Sequence, residues 1–339
     1  MSRRFGRIGG SSVGAVMGIS PFQSPHGLYL QLRKEAPPFA GNKYTDFGIR
    51  WEPLVADMFQ MAHSEYKVVH NRKGTETPDE FTHPDYDFLV SHPDRLCRES
   101  GGEQKITAGL EIKTTNWMNF RQYGEEGTDK IPDYYLTQVI FYLGMTGLPI
   151  WHVAVAFLKE DGGLRQYKEF LVHNDKELYD LFIERCVEFY QNHVLAGNPP
   201  EITQVDETTR NWLTAKFDRN TEPIATATEN EEKIMLAYIR SREELRIAQE
   251  KHDKNDLALR VAIANRDGLR SDKYGQATWK KSKDSERVDW KELCNEFSPT
   301  DEQKKKYTKI VSGTRRLLAS GLSEPLPETV VEEEQKPTK

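Results

Sequence analysis

Apolar residues recur at helical spacing in several stretches of the first half of the chain. From Trp51 to Phe59 they fall three or four positions apart, which predicts an amphipathic helix. Two similar patterns, over residues 133–147 and 175–197, end at a glycine, which is common just beyond the end of a helix. The predicted longer helices cover residues 24–36, 48–63, 133–147 and 175–197.

Between these helices lie short runs typical of strands. Residues 150–158 are apolar at nearly every position, which indicates a strand covered on both faces, and residues 164–172 alternate between apolar and polar. The predicted strands cover residues 66–70, 88–91, 109–115, 150–158 and 164–172. The order of elements predicts one mixed α/β domain over residues 1–197, with helices on both faces of a central sheet.

The pattern changes after residue 197. Residues 198–228 carry few apolar anchors and are predicted to be a linker. Residues 229–322 are predicted to form a mainly helical extension: a charged helix over 229–266, with a possible break near 253–256, and then a basic hairpin. The helix fits either a solvated arm or a coiled-coil hairpin for assembly. Residues 323–339 are acidic and proline-containing, which predicts a disordered tail.

The hairpin interleaves cations with aromatic residues. Trp279, Lys280 and Lys281 are candidates for DNA contact, because lysines neutralise phosphates and aromatic rings stack on bases. A small hairpin folded on its own tryptophans would explain the same residues.

The totals restrict the class of protein. Of 339 residues, 37% are hydrophobic and 29% are charged, which indicates a globular chain. The chain has no apolar run near the ~20 residues that span a bilayer and no signal-peptide core at its start, so we expect a cytoplasmic protein with no membrane partner. Its three cysteines, Cys97, Cys186 and Cys294, fit a reducing compartment. The formal net charge of −6 does not by itself indicate a nucleic-acid binder, although a local basic groove remains compatible with it.

One predicted strand, "GLEIKTT" at residues 109–115, carries candidate chemistry. Glu111 and Lys113 are two positions apart and therefore point to the same face. Asp94 lies seventeen positions before Glu111, in a His-Pro-Asp turn after the preceding strand. If the two segments pair as a hairpin, Asp94 and Glu111 could hold one divalent cation beside Lys113.

These residue types suit hydrolysis of a phosphodiester. Mg²⁺ prefers oxygen ligands, and it polarises phosphoryl oxygens and lowers the pKa of bound water. Lys113 could orient that water, stabilise developing charge or act as a base. The base role is the weakest, because neighbouring carboxylates raise the pKa of a lysine. A solvated strand edge would explain the same triplet.

Two helices offer further candidates. Glu52 lies early on the predicted helix 48–63 and could be another metal ligand, although a helical glutamate is most often at the surface. Gln138 and Tyr142 are four positions apart on one helix face, a spacing that helix packing also explains.

The N-terminal segment suggests an anion site. Ser11 or Ser12 is predicted to cap a short helix, and a capped N-terminus binds anions. Arg3, Arg4 and Arg7 precede it. A basic, frayed terminus would have the same composition.

In this order, "RIGGSSVGAVMGIS", "GIRWEPLVADMF", "SHPDRL", "GLEIKTT" and "YYLTQVIFYLGMTG" resemble the blocks of the YqaJ-like viral recombinase nucleases, the lambda-exonuclease-type branch of the PD-(D/E)xK nucleases. The resemblance covers residues 4–195. It implies a restriction-endonuclease-like α/β fold, a central mixed β-sheet flanked by helices.

The resemblance also implies roles for residues. Asp94, Glu111 and the Ile112 carbonyl would bind the metal, with Glu52 completing the site. Lys113 would be the catalytic lysine, and Gln138 would position the water or the phosphate.

The same resemblance implies a pocket for a terminal 5′-phosphate. Its candidates are Arg4, Arg7, Ser11, Ser12 and Tyr142. The family block usually has an acidic residue where this chain has Ser12, which is a departure within that pocket.

The resemblance implies an exonuclease that degrades one strand of linear double-stranded DNA from its 5′ end and leaves a 3′ overhang. It also implies Mg²⁺, for which Mn²⁺ would substitute, a ring-shaped homotrimer, a single-strand annealing protein as partner, and a bacterial cytoplasm. Two other functions remain open. One is an endonuclease or single-strand-specific repair nuclease of the same fold, and the other is a non-catalytic module that binds DNA ends.

Overall fold

The computed structural model describes residues 5–37, 41–70, 79–101, 103–282, 289, 292, 296–297 and 299–308. The chain divides into two compact units, Met1–Asp218 and Arg219–Lys339. The predicted acidic tail, Arg4 and Cys294 lie outside the described residues.

The helices are α1 Gly10–Val16, α2 Pro25–Leu32, α3 Lys43–Ala62, α4 Asp133–Thr146, α5 Lys176–Phe189, α6 Glu207–Lys216, α7 Glu229–Ile263 and α8 Asp301–Tyr307. The strands are β1 Ile8–Gly9, β2 Tyr66–His70, β3 Phe81–Thr82, β4 Leu89–Ser91, β5 Arg95–Glu99, β6 Ile106–Asn116, β7 Ile150–Leu158, β8 Leu164–His173, β9 Gly268–Ser271 and β10 Gly275–Thr278. A 3₁₀ turn, Trp117–Gln122, follows β6 directly, and a π-helical turn, Tyr190–Leu195, extends α5.

The first unit is built on a five-stranded sheet with the order β2-β5-β6-β7-β8. Strands β6 and β7 are parallel, and the other neighbouring pairs are antiparallel. Helix α4 makes the crossover that a parallel pair requires. A smaller sheet, β1-β4-β3, lies beside it in the same unit.

Helices cover both faces of the central sheet. On one face Val55 and Phe59 of α3 pack against Leu110 and Ile112 of β6. On the other face α1, α2, α4 and α5 form the larger core with Trp151, Val153 and other residues of β7. Strand β7 is buried on both faces, as its continuous apolar run predicts. The predicted mixed α/β fold with a central mixed sheet is confirmed.

Alternation along β6 decides which side chains face which layer. Leu110 and Ile112 point toward α3, so Glu111 and Lys113 point toward α4. The predicted pair therefore lies on the sheet face that meets Gln138.

Several local predictions need correction. Helix α1 begins at Gly10, and its N-cap is Gly9, so Ser11 and Ser12 are inside the first turn and neither is the cap. Helix α7 is continuous from Glu229 to Ile263, without a break near residue 253.

The predicted linker over residues 198–228 contains a packed helix. Asp206 caps α6 and also accepts a hydrogen bond from Ser24 Oγ, the cap of α2. These buried polar contacts hold α6 to α2 together with Trp212, which packs against the larger core and the ring of His26. The first unit accordingly extends to Asp218 and not to residue 197.

In the second unit, β9 and β10 form an antiparallel hairpin that begins before the segment predicted, and Trp279, Lys280 and Lys281 follow its second strand. Helix α7 is exposed along most of its length and carries ion pairs between neighbouring turns, such as Lys233 with Glu229 and Arg260 with Asp256. No helix within the described ranges is long and apolar enough to cross a membrane.

Candidate active site

The antiparallel pairing of β5 and β6 brings Asp94 to Glu111. Arg95, the first residue of β5, pairs with Leu110, so the residue before it lies opposite the next positions of β6. The Ile112 backbone N–H donates to Asp94 Oδ2 at 2.8 Å. Because the N–H and C=O of one strand residue point to the same side, the Ile112 carbonyl faces the edge where Asp94 lies.

Glu111 is the centre of the buried network. Its Oε1 accepts hydrogen bonds from Lys113 Nζ and from Gln138 Nε2, each at 2.6 Å. Its Oε2 is buried and has no hydrogen-bond partner in the described part of the chain. The side chain is 2% exposed, so this oxygen also lacks bulk water.

Helix α4 supplies the second layer of the site. Lys113 Nζ donates to Gln138 Oε1 at 3.1 Å, and Gln138 Nε2 also lies 3.1 Å from the Tyr142 hydroxyl. That hydroxyl donates to the His92 carbonyl at 3.3 Å, which ties α4 to the turn before Asp94. These contacts link Gln138 and Tyr142, predicted from their spacing, to the acidic pair.

Sequence reasoning missed Tyr135. Lys113 Nζ lies 4.9 Å from the centre of its ring, within the range of a cation–π contact. Tyr135, Gln138 and Tyr142 fall at i, i+3 and i+7, so the helical period was the available signal.

The pKa values follow from burial and like charge. Burial and, after it, the charge of Asp94 raise the pKa of Glu111 to about 8, although Lys113 opposes the shift. Burial also raises the pKa of Asp94. Burial disfavours the charged form of Lys113, but the charges of Glu111 and Asp94 outweigh it and raise the pKa of the lysine. Lys113 is therefore an ammonium at neutral pH, which suits charge stabilisation better than base catalysis.

Glu52 forms an ion pair with Arg95, and its role as a metal ligand stays a prediction. Arg95 Nη1 donates to Glu52 Oε1 at 2.7 Å, and Arg95 is 6% exposed in its side chain. Glu52 is near enough for its charge to raise the pKa values of Asp94 and Glu111. Arg95, adjacent to Asp94, was not among the predicted site residues.

The predicted phosphate pocket is only partly assembled. Arg7 forms a two-point ion pair with Glu80, with one N–O distance of 2.6 Å, so its guanidinium is engaged. Ser11 is exposed and Ser12 is half-buried. The first turn of α1 does lie against the site, because a Cβ on Gly10 would be 2.3 Å from the Tyr142 ring.

The C-terminal candidates lie in the second unit. Trp279 is 46% exposed, and the Arg260 guanidinium lies 5.3 Å from its ring centre. Lys280 pairs with Asp267 at 3.1 Å, and Lys281 is exposed. The alternative to DNA contact, a hairpin that packs on its own aromatic residue, explains part of this arrangement.

The acidic pair fits a hard divalent cation. Two buried carboxylates whose pKa values are raised, one with an unpartnered oxygen, are what a cation would compensate. Within the described ranges no group of three or more His, Cys, Asp or Glu side chains is arranged to hold a metal ion. Asp94, Glu111 and the Ile112 carbonyl therefore form an incomplete set, as expected for Mg²⁺, which keeps waters and substrate phosphate oxygens as ligands.

Comparisons with known proteins agree with the predicted resemblance. Residues 1–149 match the YqaJ-like viral recombinase domain. Uncharacterized protein YqaJ of Bacillus subtilis (strain 168) is 28% identical over 316 residues, which cover 91% of this chain and 90% of that protein. The resemblance to the YqaJ-like viral recombinases is confirmed, and the matched region contains Asp94, Glu111, Lys113 and Gln138.

Two solved exonucleases are similar to part of the chain. An alkaline exonuclease (LHK-Exo) from Laribacter hongkongensis is 19% identical, over 57% of this chain and 91% of that one, with a TM-score of 0.43. A phage related exonuclease from Haemophilus somnus 129PT is 13% identical, over 56% of this chain and 96% of that one, with a TM-score of 0.42.

Proposed function

We propose that this protein is a metal-dependent exonuclease that resects linear double-stranded DNA from the 5′ end and leaves a 3′ overhang for recombination by strand annealing. The observation that supports the nuclease chemistry is the buried carboxylate of Glu111. Asp94 accepts a hydrogen bond from the next residue of β6, and one Glu111 oxygen has no hydrogen-bond partner among the described residues. The match to a viral recombinase domain supports DNA as the substrate.

Asp94, Glu111 and the Ile112 carbonyl would hold Mg²⁺, for which Mn²⁺ would substitute. The ion would supply a Lewis acid for the phosphoryl oxygen and lower the pKa of bound water. Lys113 presents an ammonium fixed by Glu111 and Gln138, so positive charge is in place where negative charge develops on the phosphate. Such preorganised groups contribute most when little side-chain rearrangement is needed.

Gln138 connects the side chains of the site by hydrogen bonds. Its amide contacts Glu111, Lys113 and Tyr142 at once, so it fixes the carboxylate and the ammonium relative to each other. On binding of substrate, this amide orients the attacking water or a phosphate oxygen. Arg95 positions Glu52, the further metal ligand of this proposal.

The direction of degradation, the preference for ends, the annealing protein and the homotrimeric ring in a bacterial cytoplasm are parts of this proposal. They rest on the family match and on the ordered blocks that resemble its members. Arg4, Ser11 and Ser12 are the proposed grip on the 5′-phosphate, with Tyr142 beside the first turn of α1.

A gel assay tests the proposal. Linear duplex labelled at its 5′ or its 3′ end, and a covalently closed circle, are incubated with Mg²⁺ or EDTA and either wild-type protein, Lys113→Ala or Lys176→Ala. Lys176 is exposed on α5 and pairs only with neighbouring Asp180 in the described structure, so Lys176→Ala is the control for loss of a lysine.

We expect wild type and Lys176→Ala to shorten only the linear DNA, to need Mg²⁺ and to release the 5′ label first, and Lys113→Ala to do none of these. Cutting of the closed circle would instead identify an endonuclease. Binding of DNA without cleavage in any metal would identify a non-catalytic module, and equal cleavage by Lys113→Ala would exclude the site.

A further inference from the structure

A cavity of about 310 Å³ lies at the carboxyl end of β6, between this strand and the start of α3. Its walls include Lys43 and Tyr44 of α3, Thr115 and Asn116 of β6, and Lys159 after β7. This volume is at the lower end of the range for ligand sites, ~300–1,000 Å³.

The cavity lies on the α3 face of the sheet. Thr114, a lining residue, follows Lys113 directly, and a Cβ on Gly48 of α3 would lie 3.6 Å from Thr114 Oγ1. Because side chains alternate along β6, Thr114 and Asn116 point toward α3, whereas Lys113 points toward α4. Helix α3 also carries Glu52, the partner of Arg95, so this one helix borders both the cavity and the acidic pair.

The charge and the rings around the cavity suit a DNA strand. Lys43 and Lys159 are exposed, and neither forms an ion pair with any residue that the structure describes. Glu160 is the acidic member of the lining, against the two lysines. Phosphate contacts of this kind supply sequence-independent affinity.

Trp117 and Tyr44 are exposed aromatic residues beside the cavity. Trp117 follows Asn116 in the chain, is 45% exposed, and has the Arg165 guanidinium 5.2 Å from its ring centre. Tyr44 is 60% exposed, with Lys43 Nζ 5.0 Å from its ring centre. Exposed rings beside cations are suited to stacking on bases whatever their sequence.

We infer that this cavity, with Trp117 at its edge, is a DNA-binding subsite that holds substrate DNA outside the catalytic centre, with Lys43 and Lys159 on phosphates and Tyr44 and Trp117 on bases. The inference rests on the proposed function and adds a subsite separate from the acidic pair and from the predicted 5′-phosphate pocket. It explains why a lysine pair and two large rings are left exposed at this end of the sheet.

Binding measurements at several salt concentrations test the subsite. Fluorescence anisotropy with a 5′-phosphorylated duplex, in EDTA and again in Ca²⁺, compares wild type with the double variant Lys43→Ala/Lys159→Ala. Each lost phosphate contact reduces the slope of log K against log salt by ~0.9, so we expect the slope to fall by about 2. The control Lys105→Ala/Lys176→Ala removes the same charge from exposed positions and should keep the wild-type slope.

The stacking part has its own variants. Trp117→Ala should weaken binding by roughly 5- to 100-fold with the slope unchanged, and Trp117→Phe should restore most of the affinity. A Lys43→Ala/Lys159→Ala protein that keeps the wild-type slope and affinity would overturn the subsite.

The two proposals fail in different ways. If wild type cleaves DNA with Mg²⁺ but the subsite variants bind like wild type, only the subsite is wrong. If wild type does not cleave but the variants lose salt slope, the subsite stands and the exonuclease proposal fails. If wild type binds no DNA in either buffer, both are wrong.

Discussion

At the scale of single residues, the close approach of α1 to α4 depends on the absence of a side chain at Gly10. A Cβ there would lie 2.3 Å from the Tyr142 ring, which is buried and cannot move freely. Tyr142 in turn contacts Gln138, which contacts Glu111. A methyl group at Gly10 would therefore disturb the site from outside it.

We predict that Gly10→Ala destabilises the protein by about 1–3 kcal/mol, the usual cost of overpacking, and reduces the rate of cleavage more than the binding of DNA. Urea unfolding and the end-labelled cleavage assay measure the two effects. Gly9→Ala is the matched control, because a Cβ at Gly9 would meet nothing nearer than the Val90 carbonyl at 4.0 Å. Equal stability of the two variants would contradict the packing argument.

A buried histidine gives the fold a pH dependence. Burial and, after it, the charge of His63 lower the pKa of His152 to about 4, and its Nε2 has no hydrogen-bond partner among the described residues. In the unfolded chain the group takes up a proton near pH 6.5, whereas in the fold it stays neutral to about pH 4. Stability from neutral His152 is therefore complete above pH 6.5 and is lost as pH falls toward 4.

We predict that wild type loses about 2 kcal/mol more stability than His152→Leu between pH 7 and pH 5, at 1.36 kcal/mol per pKa unit. Burial lowers the pKa of His63, but hydrogen bonds to Glu169 and Glu65 outweigh burial, and the pKa is raised. His63 therefore stabilises the fold more at low pH, whereas His152 stabilises it more at high pH. Both proteins keep His63, so the comparison isolates His152. Urea unfolding at each pH measures the difference, and His173→Leu, at an exposed position, should follow wild type.

At the scale of elements, α6 is attached by polar groups. Asp206 Oδ1 accepts from the Thr209 N–H at 2.8 Å, and its Oδ2 accepts from Ser24 Oγ, which itself accepts from the Gly27 N–H at 2.9 Å. One carboxylate thus caps α6 and holds the cap of α2. His26 and Thr209 add a second contact at 3.2 Å between their side-chain atoms.

We predict that Asp206→Ala costs about 2–4 kcal/mol in the free energy of unfolding, because it removes a cap and leaves the buried hydroxyl of Ser24 without an acceptor. Asp175→Ala removes the exposed cap of α5, which accepts from the Leu178 N–H at 3.0 Å, and should cost only ~1 kcal/mol. Equal losses in the two variants would show that the contact between α6 and α2 does not stabilise the fold.

The sequence predicts the elements that are buried through a periodic apolar face, and it does not predict those that are held by polar side-chain contacts. Strands β2, β6, β7 and β8 and helices α3 to α5 were predictable because apolar periodicity records which face is buried. Strand β5 was missed: the predicted strand over 88–91 is β4 of the smaller sheet, and Asp94 lies just before β5, which is the strand that pairs with β6. The linker over 198–228 was misjudged, since no periodicity marks a helix held by Asp206 and Thr209. At the site, the spacing of Asp94, Glu111 and Lys113 pointed to one edge, but the Arg95–Glu52 pair depends on side-chain directions that one sequence does not encode as a pattern.

At the scale of the whole molecule, the boundary between the two compact units can be tested by truncation. The fragment 1–218 keeps α6 and its contacts with Ser24 and His26, whereas the fragment 1–197 removes them. We predict that 1–218 unfolds cooperatively with close to the stability of the first unit in the full chain. The fragment 1–197 should be less stable by at least the cost of Asp206→Ala, because every contact of α6 is lost.

The same fragment separates catalysis from the contribution of the second unit. All residues of the acidic pair and its network lie before Asp218, so 1–218 should retain Mg²⁺-dependent cleavage. It lacks Trp279, Lys280 and Lys281, so it should bind duplex DNA more weakly and with a shallower salt slope, because phosphate contacts are lost. Anisotropy at several salt concentrations compares the fragment with the full chain. Equal affinity and slope would show that the hairpin does not contact DNA, and loss of cleavage at saturating DNA would show that the second unit contributes to the catalytic step.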